Sequence, residues 1–187
     1  MGTLNLAGHI CQAAYKGWWR SMSGIQIRPL TPDDWELVET IYQDGIATGQ
    51  ATFETQTPSW TEWNNKHFTT PRLVATSEEG VVGWAALSPV STRTVYSGVA
   101  EISVYVAGDW HGKGVGRALL EKLIVASEKN AIWTLQATIF AENAASMALH
   151  KSCGFREVGR RERISKMNGV WRDTILLERR SKLVGLD

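Results

Sequence analysis

The stretch that decides the fold is Val106-Ala107-Gly108-Asp109-Trp110-His111-Gly112-Lys113-Gly114-Val115-Gly116-Arg117. The segment before it, at 100–106, predicts a strand, and the apolar stripe at 115–129 predicts a helix. Glycines let the backbone approach a ligand closely, and the free N–H groups at the start of a helix favour an anion. Lys113 and Arg117 add positive charge at the same place. The stretch therefore predicts an anion-binding loop between a strand and a helix.

Two familiar phosphate loops are excluded by their spacing. A Walker A loop needs GxxxxGK followed by Ser or Thr, which occurs nowhere in the chain, and a dinucleotide-binding loop needs GxGxxG. Gly112, Gly114 and Gly116 are instead spaced GxGxG. A glycine-rich turn that enters a helix without binding any ligand is the alternative interpretation.

The composition limits the possible classes of function. The chain has 187 residues, enough for one domain, and 43% of them are hydrophobic. Its 20 Lys and Arg residues nearly balance its 19 Asp and Glu residues, which argues against a nucleic-acid partner. Cys11 and Cys153 lack metal-ligand spacing. We therefore expect no metal and a reducing, cytoplasmic setting.

The chain is expected to hold one folded domain at 25–180. We interpret residues 1–24 as an N-terminal extension that is disordered or not native, and residues 181–187 as a C-terminal tail. No run of the sequence approaches the roughly 20 apolar residues of a membrane-spanning helix, so we expect no membrane partner.

The hydrophobic pattern predicts the element order β-α-α-β-β-β-α-β-α-β-β, a mixed α/β domain. Thr31-Pro32-Asp33-Asp34 has the residues of a helix start, with an N-cap, a proline and two acids. Thr57-Pro58 is expected to open a second helix that carries Trp60, Trp63 and Phe68. Asn168-Gly169 predicts a tight turn between the last two strands.

The glycine loop resembles the pyrophosphate loop of the GCN5-related N-acetyltransferases (GNAT), Q/R-x-x-G-x-G/A, with His111 in the first position. Over residues 25–180 the chain is similar, more narrowly, to the phosphinothricin and L-amino acid N-acetyltransferases. Besides the loop, the similarity rests on several spaced motifs: Ala51-Thr52-Phe53-Glu54, the segment at 100–106, Asn143 with Ser146, His150 before Gly154-Phe155, and the segment at 168–173.

This resemblance implies a central twisted mixed sheet, flanked by helices, that splays apart between its fourth and fifth strands. It implies that acetyl-CoA lies in that gap, that no metal is needed and that the protein forms a homodimer. The residues it implies for acetyl-CoA are Val104, Tyr105, Val106, His111, Gly112, Lys113, Gly114, Val115, Gly116, Arg117, Asn143 and Ser146. Asn143 also suits the N-cap of a helix, and the two roles are compatible.

Acetyl transfer needs a neutral amine, because an ammonium has no lone pair. The resemblance implies that Glu101 is the general base of this step. A solvent-facing strand glutamate is the alternative for Glu101. It also implies that His150 either protonates the leaving thiolate of CoA or only positions ligands.

The acceptor predicted by the resemblance is the amine of a small amino-acid-like molecule, such as phosphinothricin, methionine sulfoximine or methionine sulfone. The residues implied for this acceptor are Phe53, Glu54, Arg93 and Tyr96. The guanidinium of Arg93 suits a substrate carboxylate, whereas Phe53 could equally belong to the core. Alternative functions are acetylation of a polyamine, an antibiotic or a protein N-terminus, and a non-catalytic acyl-CoA-binding module.

Overall fold

The computed structural model describes residues 24–186, so the predicted extension at 1–24 lies outside the described residues except for Gly24. The strands are β1 (Gln26–Pro29), β2 (Arg72–Ser77), β3 (Gly80–Pro89), β4 (Val99–Val106), β5 (Thr134–Phe140), β6 (Arg156–Met167) and β7 (Val170–Arg180). The α-helices are α1 (Trp35–Ala47), α2 (Trp60–Lys66), α3 (Val115–Lys129) and α4 (Ala144–Ser152). Their order along the chain confirms the predicted sequence of elements.

The strands form one sheet in the order β1-β2-β3-β4-β5-β7-β6. All neighbouring strands are antiparallel except β4 and β5, which are parallel. The parallel ladder has only three rungs, Val99↔Thr134, Ala100↔Leu135 and Glu101↔Gln136. Beyond them β4 and β5 continue without pairing. The predicted mixed α/β fold, with its sheet splayed between the fourth and fifth strands, is confirmed.

Helices cover both faces of this sheet. On one face α3 buries Leu119 and Leu123 completely, and α4 packs beside it. Burial of each leucine contributes about 1.5–3 kcal/mol to folding. On the other face α1 and α2 place Val38 and Trp63 against Trp84 of β3. Because successive side chains of a strand point to opposite faces, the position of a residue along β4 decides which layer it meets.

Helix α2 begins later than the sequence predicted and does not contain Phe68. Ser59 Oγ accepts the Glu62 N–H at 3.3 Å, and the Glu62 carboxylate accepts the Ser59 N–H at 2.8 Å. This reciprocal capping box starts the helix at Trp60 rather than at Thr57-Pro58. His67 then adopts an extended backbone, and the N–H of Phe68 donates to a carbonyl of β3. The prediction that Phe68 lies on this helix was therefore wrong.

The turn between β6 and β7 has the predicted two residues, and both have positive φ. Asn168 has φ 49° and Gly169 has φ 81°. Two consecutive residues with positive φ form a type I′ turn, whose twist matches that of the two strands of a hairpin. The turn prediction is confirmed.

Residues 181–186 pack onto the closed end of the split sheet. The Ser181 N–H donates to the carbonyl of Trp133 at 2.7 Å, and the Arg180 guanidinium donates to the same carbonyl at 3.0 Å. The Trp133 ring lies so close to Gly98 that a Cβ at position 98 would overlap it. The Gly98 carbonyl in turn accepts the N–H of Trp133 at 2.8 Å. β4 and β5 are thus held together just before the point where they part.

Candidate active site

The gap between β4 and β5 has two different walls. Val104 and Val106 of β4 pack with the cluster beneath α3, whereas the Tyr105 ring packs with the cluster beneath α1 and α2. By alternation, Glu101 lies on the same face as Tyr105. Within residues 24–186, no strand pairs with this edge of β4 beyond Glu101. The gap therefore has an apolar side, a polar side and a free strand edge between them.

The glycine loop has the conformation that an anion site requires. Gly112 and Gly114 have φ of 72° and 83°, in the left-handed region that favours glycine. The first hydrogen bond of α3 joins the Ala118 N–H to the Gly114 carbonyl at 3.0 Å. The N–H groups at the first three positions of the helix, residues 115–117, consequently have no acceptor within it. The loop predicted from the sequence thus presents free amides at the end of β4.

The polar side chains of this loop already have partners. His111 Nε2 lies 2.8 Å from the carbonyl oxygen of Val106, so a proton on Nε2 lets the ring donate to the strand. The Lys113 ammonium lies 4.9 Å from the centre of the Trp110 ring. Arg117 Nε donates to Glu121 at 2.8 Å, and this bond raises the pKa of Arg117. His111 therefore ties the loop to β4, while the two cations remain at its surface.

Gly116 brings three elements together. A Cβ at this position would lie 3.3 Å from a methyl group of Leu149 and 3.5 Å from one of Val106. The start of α3 consequently packs tightly against α4 and lies in van der Waals contact with the end of β4. This close approach places α4 beside the gap.

Helix α4 is capped by Asn143, and the same side chain reaches across the gap. Asn143 Oδ1 accepts the Ser146 N–H at 3.0 Å, which is the N-cap that its sequence position suggested. Asn143 Nδ2 donates to the Gln50 carbonyl at 3.1 Å. Gln50 belongs to the loop after α1. This second contact could not be read from the sequence, because the two residues are distant along the chain.

His150 is buried in α4 with one ring nitrogen unsatisfied. Only 4% of the residue is exposed, and its ring meets the edge of Phe155. Nδ1 lies 2.9 Å from the Ser146 carbonyl, so Nδ1 carries the proton and donates. Nε2 is buried and has no partner among the described residues. Burial lowers the pKa of His150, so the ring is neutral near pH 7 and Nε2 is an acceptor.

Glu54 belongs to an ion pair with Lys66 that the sequence did not predict as a unit. The Lys66 ammonium, at the end of α2, donates to Glu54 Oε1 at 2.8 Å. The hydrogen bond to Glu54 raises the pKa of Lys66, and the negative charge of Glu101 acts in the same direction. Glu54 was a predicted acceptor residue, whereas Lys66 had no motif or spacing that marked it.

Three hydroxyl groups form a cluster on this face. Tyr42 of α1, Tyr105 of β4 and Thr52 lie close to one another, and the centres of the two tyrosine rings are 4.8 Å apart. Burial raises the pKa of both tyrosines. The ring of Tyr105, a residue predicted to contact the cofactor, stacks on Trp84.

The loop after α1 closes the gap on the side of Glu101. Phe53 meets the Phe140 ring of β5 edge-on, with ring centres 4.6 Å apart. Arg172 of β7 lies 4.4 Å from the centre of the same Phe140 ring and donates to the Gly49 carbonyl at 3.3 Å. Because Phe53 and Gly49 reach the β5–β7 arm, the loop spans both halves of the split sheet. Arg172 was not singled out from the sequence.

Arg93 and Tyr96 lie at the rim of the site. They belong to the short turn before β4, and both are exposed. The Arg93 guanidinium carbon lies 5.5 Å from the centre of the Tyr96 ring. No contact described for residues 24–186 joins Arg93 to Glu101 or Glu54. The structure thus pairs Glu54 with Lys66, and pairs Arg93 with Tyr96 in the exposed turn before β4.

Other features of the described chain do not add to this site. A surface depression of about 370 Å³ is lined by Asp44, Glu79 and Asp109, whose three carboxylates disfavour an anionic ligand. Among the residues that the structure describes, no group of three or more His, Cys, Asp or Glu could hold a metal. No helix in that part of the chain is long and apolar enough to cross a membrane.

Comparisons with known proteins agree with this geometry. A family model described as an acetyltransferase (GNAT) domain matches residues 27–176. The chain is 34% identical over 159 residues to the phosphinothricin N-acetyltransferase of Alcaligenes faecalis, covering 82% of this chain and 81% of that protein.

Two solved structures have the same fold. The phosphinothricin acetyltransferase of Sinorhizobium meliloti, in complex with AcCoA, has a TM-score of 0.79 and 28% identity, over 88% of this chain and 92% of its own. The ribosomal-protein-alanine N-acetyltransferase of Brucella melitensis has a TM-score of 0.76 and 33% identity, over 83% of this chain and 99% of its own.

Proposed function

The chain belongs to the GNAT acetyltransferases, and on this premise we propose that it acetylates the amine of a small amino-acid-like acceptor. The observation that carries the proposal is the position of Glu101. This carboxylate lies at the last rung between β4 and β5, where the free edge of β4 begins. It is therefore next to both the expected cofactor and the polar pocket.

The described residues fit acetyl-CoA. The free amides of residues 115–117, with Lys113 and Arg117 beside them, suit its pyrophosphate. The edge of β4 at Val104 and Val106 can pair with its pantetheine arm as an added strand. Asn143 and Ser146 line the opposite side at the start of α4. When bound, acetyl-CoA supplies an acetyl group activated as a thioester.

Glu101 would remove the proton that the acceptor amine must lose. An amine with the ordinary pKa of about 10.4 is almost entirely protonated at pH 7 and cannot attack. A positioned base accelerates such a step by about 10²–10⁴-fold. Glu101 is held by the sheet on both sides, because it pairs with Ser88 of β3 and Gln136 of β5.

The acceptor attacks directly rather than through an acyl-cysteine. Burial raises the pKa of Cys153, so its thiol is a weak nucleophile near pH 7. His150 is neutral with Nε2 free, which suits a group that accepts a hydrogen bond from the thiol of CoA. Of the two roles that the resemblance implied for His150, this geometry supports the positioning role.

The acceptor pocket would lie between Glu101 and the loop after α1. Phe53 supplies an apolar wall, and Glu54 supplies a carboxylate beside Lys66. Arg93 and Tyr96 at the rim can bind an oxyanion of the acceptor.

The structural similarity to a ribosomal-protein-alanine N-acetyltransferase favours one alternative, a protein N-terminus as acceptor. A peptide would have to pass the loop that spans the gap through Phe53 and Phe140. This closure supports the small acceptor over the peptide.

A homodimer is also proposed. Val158 and Ile164 of β6 and Val170 and Trp171 of β7 are exposed on the last hairpin. Large exposed apolar side chains on neighbouring strands are typical of an interface.

The test is release of CoA thiol from acetyl-CoA against a panel of acceptors. The panel contains phosphinothricin, methionine sulfoximine, methionine sulfone, polyamines and short peptides with N-terminal alanine. We expect turnover with the amino-acid-like compounds and a loss of about 10²–10⁴-fold in Glu101→Gln. Turnover confined to peptides or polyamines would contradict the acceptor class, and tight acetyl-CoA binding without turnover would support a binding module instead.

A further inference from the structure

Lys66 is a cation of the proposed acceptor pocket. It occupies the last turn of α2, and its ammonium donates to Glu54 Oε1 at 2.8 Å. The Lys66 side chain is 63% exposed and that of Glu54 is 47% exposed. An ion pair between two such accessible groups is weak, so either partner can exchange it for a ligand.

The packing of α2 explains why Lys66 lies near Glu101. Trp63, one turn earlier, is fully buried and meets the edge of Trp84 in β3. Two residues after Lys66, the N–H of Phe68 donates to the Leu87 carbonyl of β3 at 2.8 Å, and the next residue of β3, Ser88, pairs with Glu101. The pKa of Lys66 is raised, first by its hydrogen bond to Glu54 and also by the charge of Glu101. Two carboxylates thus act on one ammonium.

The chemistry of an α-amino acid links these groups. Its amine and its carboxylate are attached to the same carbon, so an amine placed at Glu101 brings the carboxylate within a few ångströms of that base. A cation within reach of Glu101 is therefore placed to meet this carboxylate. The end of α2 that carries Lys66 is bonded to β3 next to the Ser88–Glu101 pair, whereas the Arg93 guanidinium contacts the ring of Tyr96 at the rim.

We propose that Lys66 exchanges Glu54 for the α-carboxylate of the acceptor and so selects free α-amino acids. Arg93 is then left for an oxyanion at the far end of the acceptor. The inference rests on the proposed acetyl transfer to an amino-acid-like acceptor and adds a residue that determines specificity. A polyamine or a peptide N-terminus lacks this carboxylate and gains nothing from Lys66.

The test compares methionine sulfone with its carboxamide, which keeps the amine and the sulfone but has no carboxylate. The quantity measured is the ratio of kcat/KM for the acid to kcat/KM for the amide. Lys66→Met should lower this ratio at least tenfold, because a charged hydrogen bond to the acid is lost. Glu54→Gln breaks the same ion pair but keeps the ammonium, so the ratio should be retained.

Lys151→Met is the matched control, because Lys151 forms a similarly exposed ion pair with Glu157 at 3.3 Å. It should leave the kinetics with both acceptors unchanged. If Lys66→Met slows the acid and the amide in parallel, Lys66 has only a structural role and the inference is wrong. A ratio that falls in Arg93→Ala instead would assign the α-carboxylate to Arg93. Wild-type protein that acetylates neither compound would overturn the proposed function itself.

Discussion

Glu101 pairs with Gln136 at the last rung of the parallel ladder, and the two strands part immediately beyond this pair. The backbone of Glu101 is therefore fixed by its pairs with Ser88 of β3 and Gln136 of β5, and the gap opens immediately after it along β4. A rigid element holds a reacting group more accurately than a loop can. The position of Glu101 combines this rigidity with access to ligands.

His150 is expected to act as a hydrogen-bond acceptor. His150→Phe keeps an aromatic ring beside Phe155 but removes Nε2, so kcat should fall about tenfold, the value of one hydrogen bond. Burial lowers the pKa of His150, so the ring is neutral above pH 6.5. The variant should therefore show the same fall of kcat at low pH, if any, as the wild-type protein. A profile measured from pH 5.5 to 9 checks this. A loss above 10²-fold together with disappearance of a limb would identify His150 as the proton donor instead.

The effect of a substitution in the glycine loop should depend on the backbone φ at that position rather than on the space available for a side chain. Gly112→Ala places a Cβ where nothing lies within 4 Å, but at φ 72°, which costs an L-residue about 1–2 kcal/mol. We expect acetyl-CoA affinity to fall about tenfold in calorimetric titration. Gly108→Ala, also in open space but without positive φ, is the matched control and should bind normally. Equal effects in the two variants would contradict the argument from φ.

Gly98 should be intolerant of any side chain. In Gly98→Ala the new Cβ overlaps the Trp133 ring, and such overpacking typically costs about 1–3 kcal/mol. Urea unfolding should show this loss, while Gly159→Ala, in open space on β6, should be close to wild type. Adding Trp133→Leu to Gly98→Ala should recover part of the stability. If it does not, the ring is not the cause.

His67 should make the fold less stable in acid. Burial lowers its pKa from 6.5 to about 4. The neutral ring is therefore favoured in the folded state, and its stabilising effect is present above pH 6.5 and is lost as the pH falls towards 4. The loss is on the order of 3 kcal/mol. Unfolding free energies at pH 7 and pH 4.5 should differ less in His67→Gln than in wild type, and an unchanged difference would exclude His67 as the source.

Local patterns predicted most of the elements. Helix α3 was predicted at 115–129 and is observed at Val115–Lys129, because an apolar stripe and glycines at its start specify it locally. The start of α2 was misplaced, because Thr57-Pro58 and Ser59 with Glu62 are both plausible starts, and only the latter capping box forms. Competing caps a few residues apart cannot be ranked from propensity alone.

The acceptor side of the site was predicted less completely. Phe53 and Glu54 were expected there, but Lys66 and Arg172 were not. Lys66 contacts Glu54, which is 12 residues away in the sequence, and Arg172 contacts Gly49, which is 123 residues away. Such contacts depend on how α2 and β7 are placed in three dimensions, and no periodicity in the sequence records that placement.

Among the described residues, the three-rung ladder leaves one edge of β4 unpaired beyond Glu101. A ligand that pairs with this edge would make the stability of the folded chain depend on the ligand concentration. Such a ligand binds only the folded chain. It stabilises the folded state by RT ln(1 + [L]/Kd), which is about 2.7 kcal/mol when its concentration is a hundred times Kd. Acetyl-CoA would then be a folding partner as well as a reactant. In a cell depleted of acetyl-CoA the chain would unfold more often and be degraded faster, so its abundance would follow the supply of the acetyl donor.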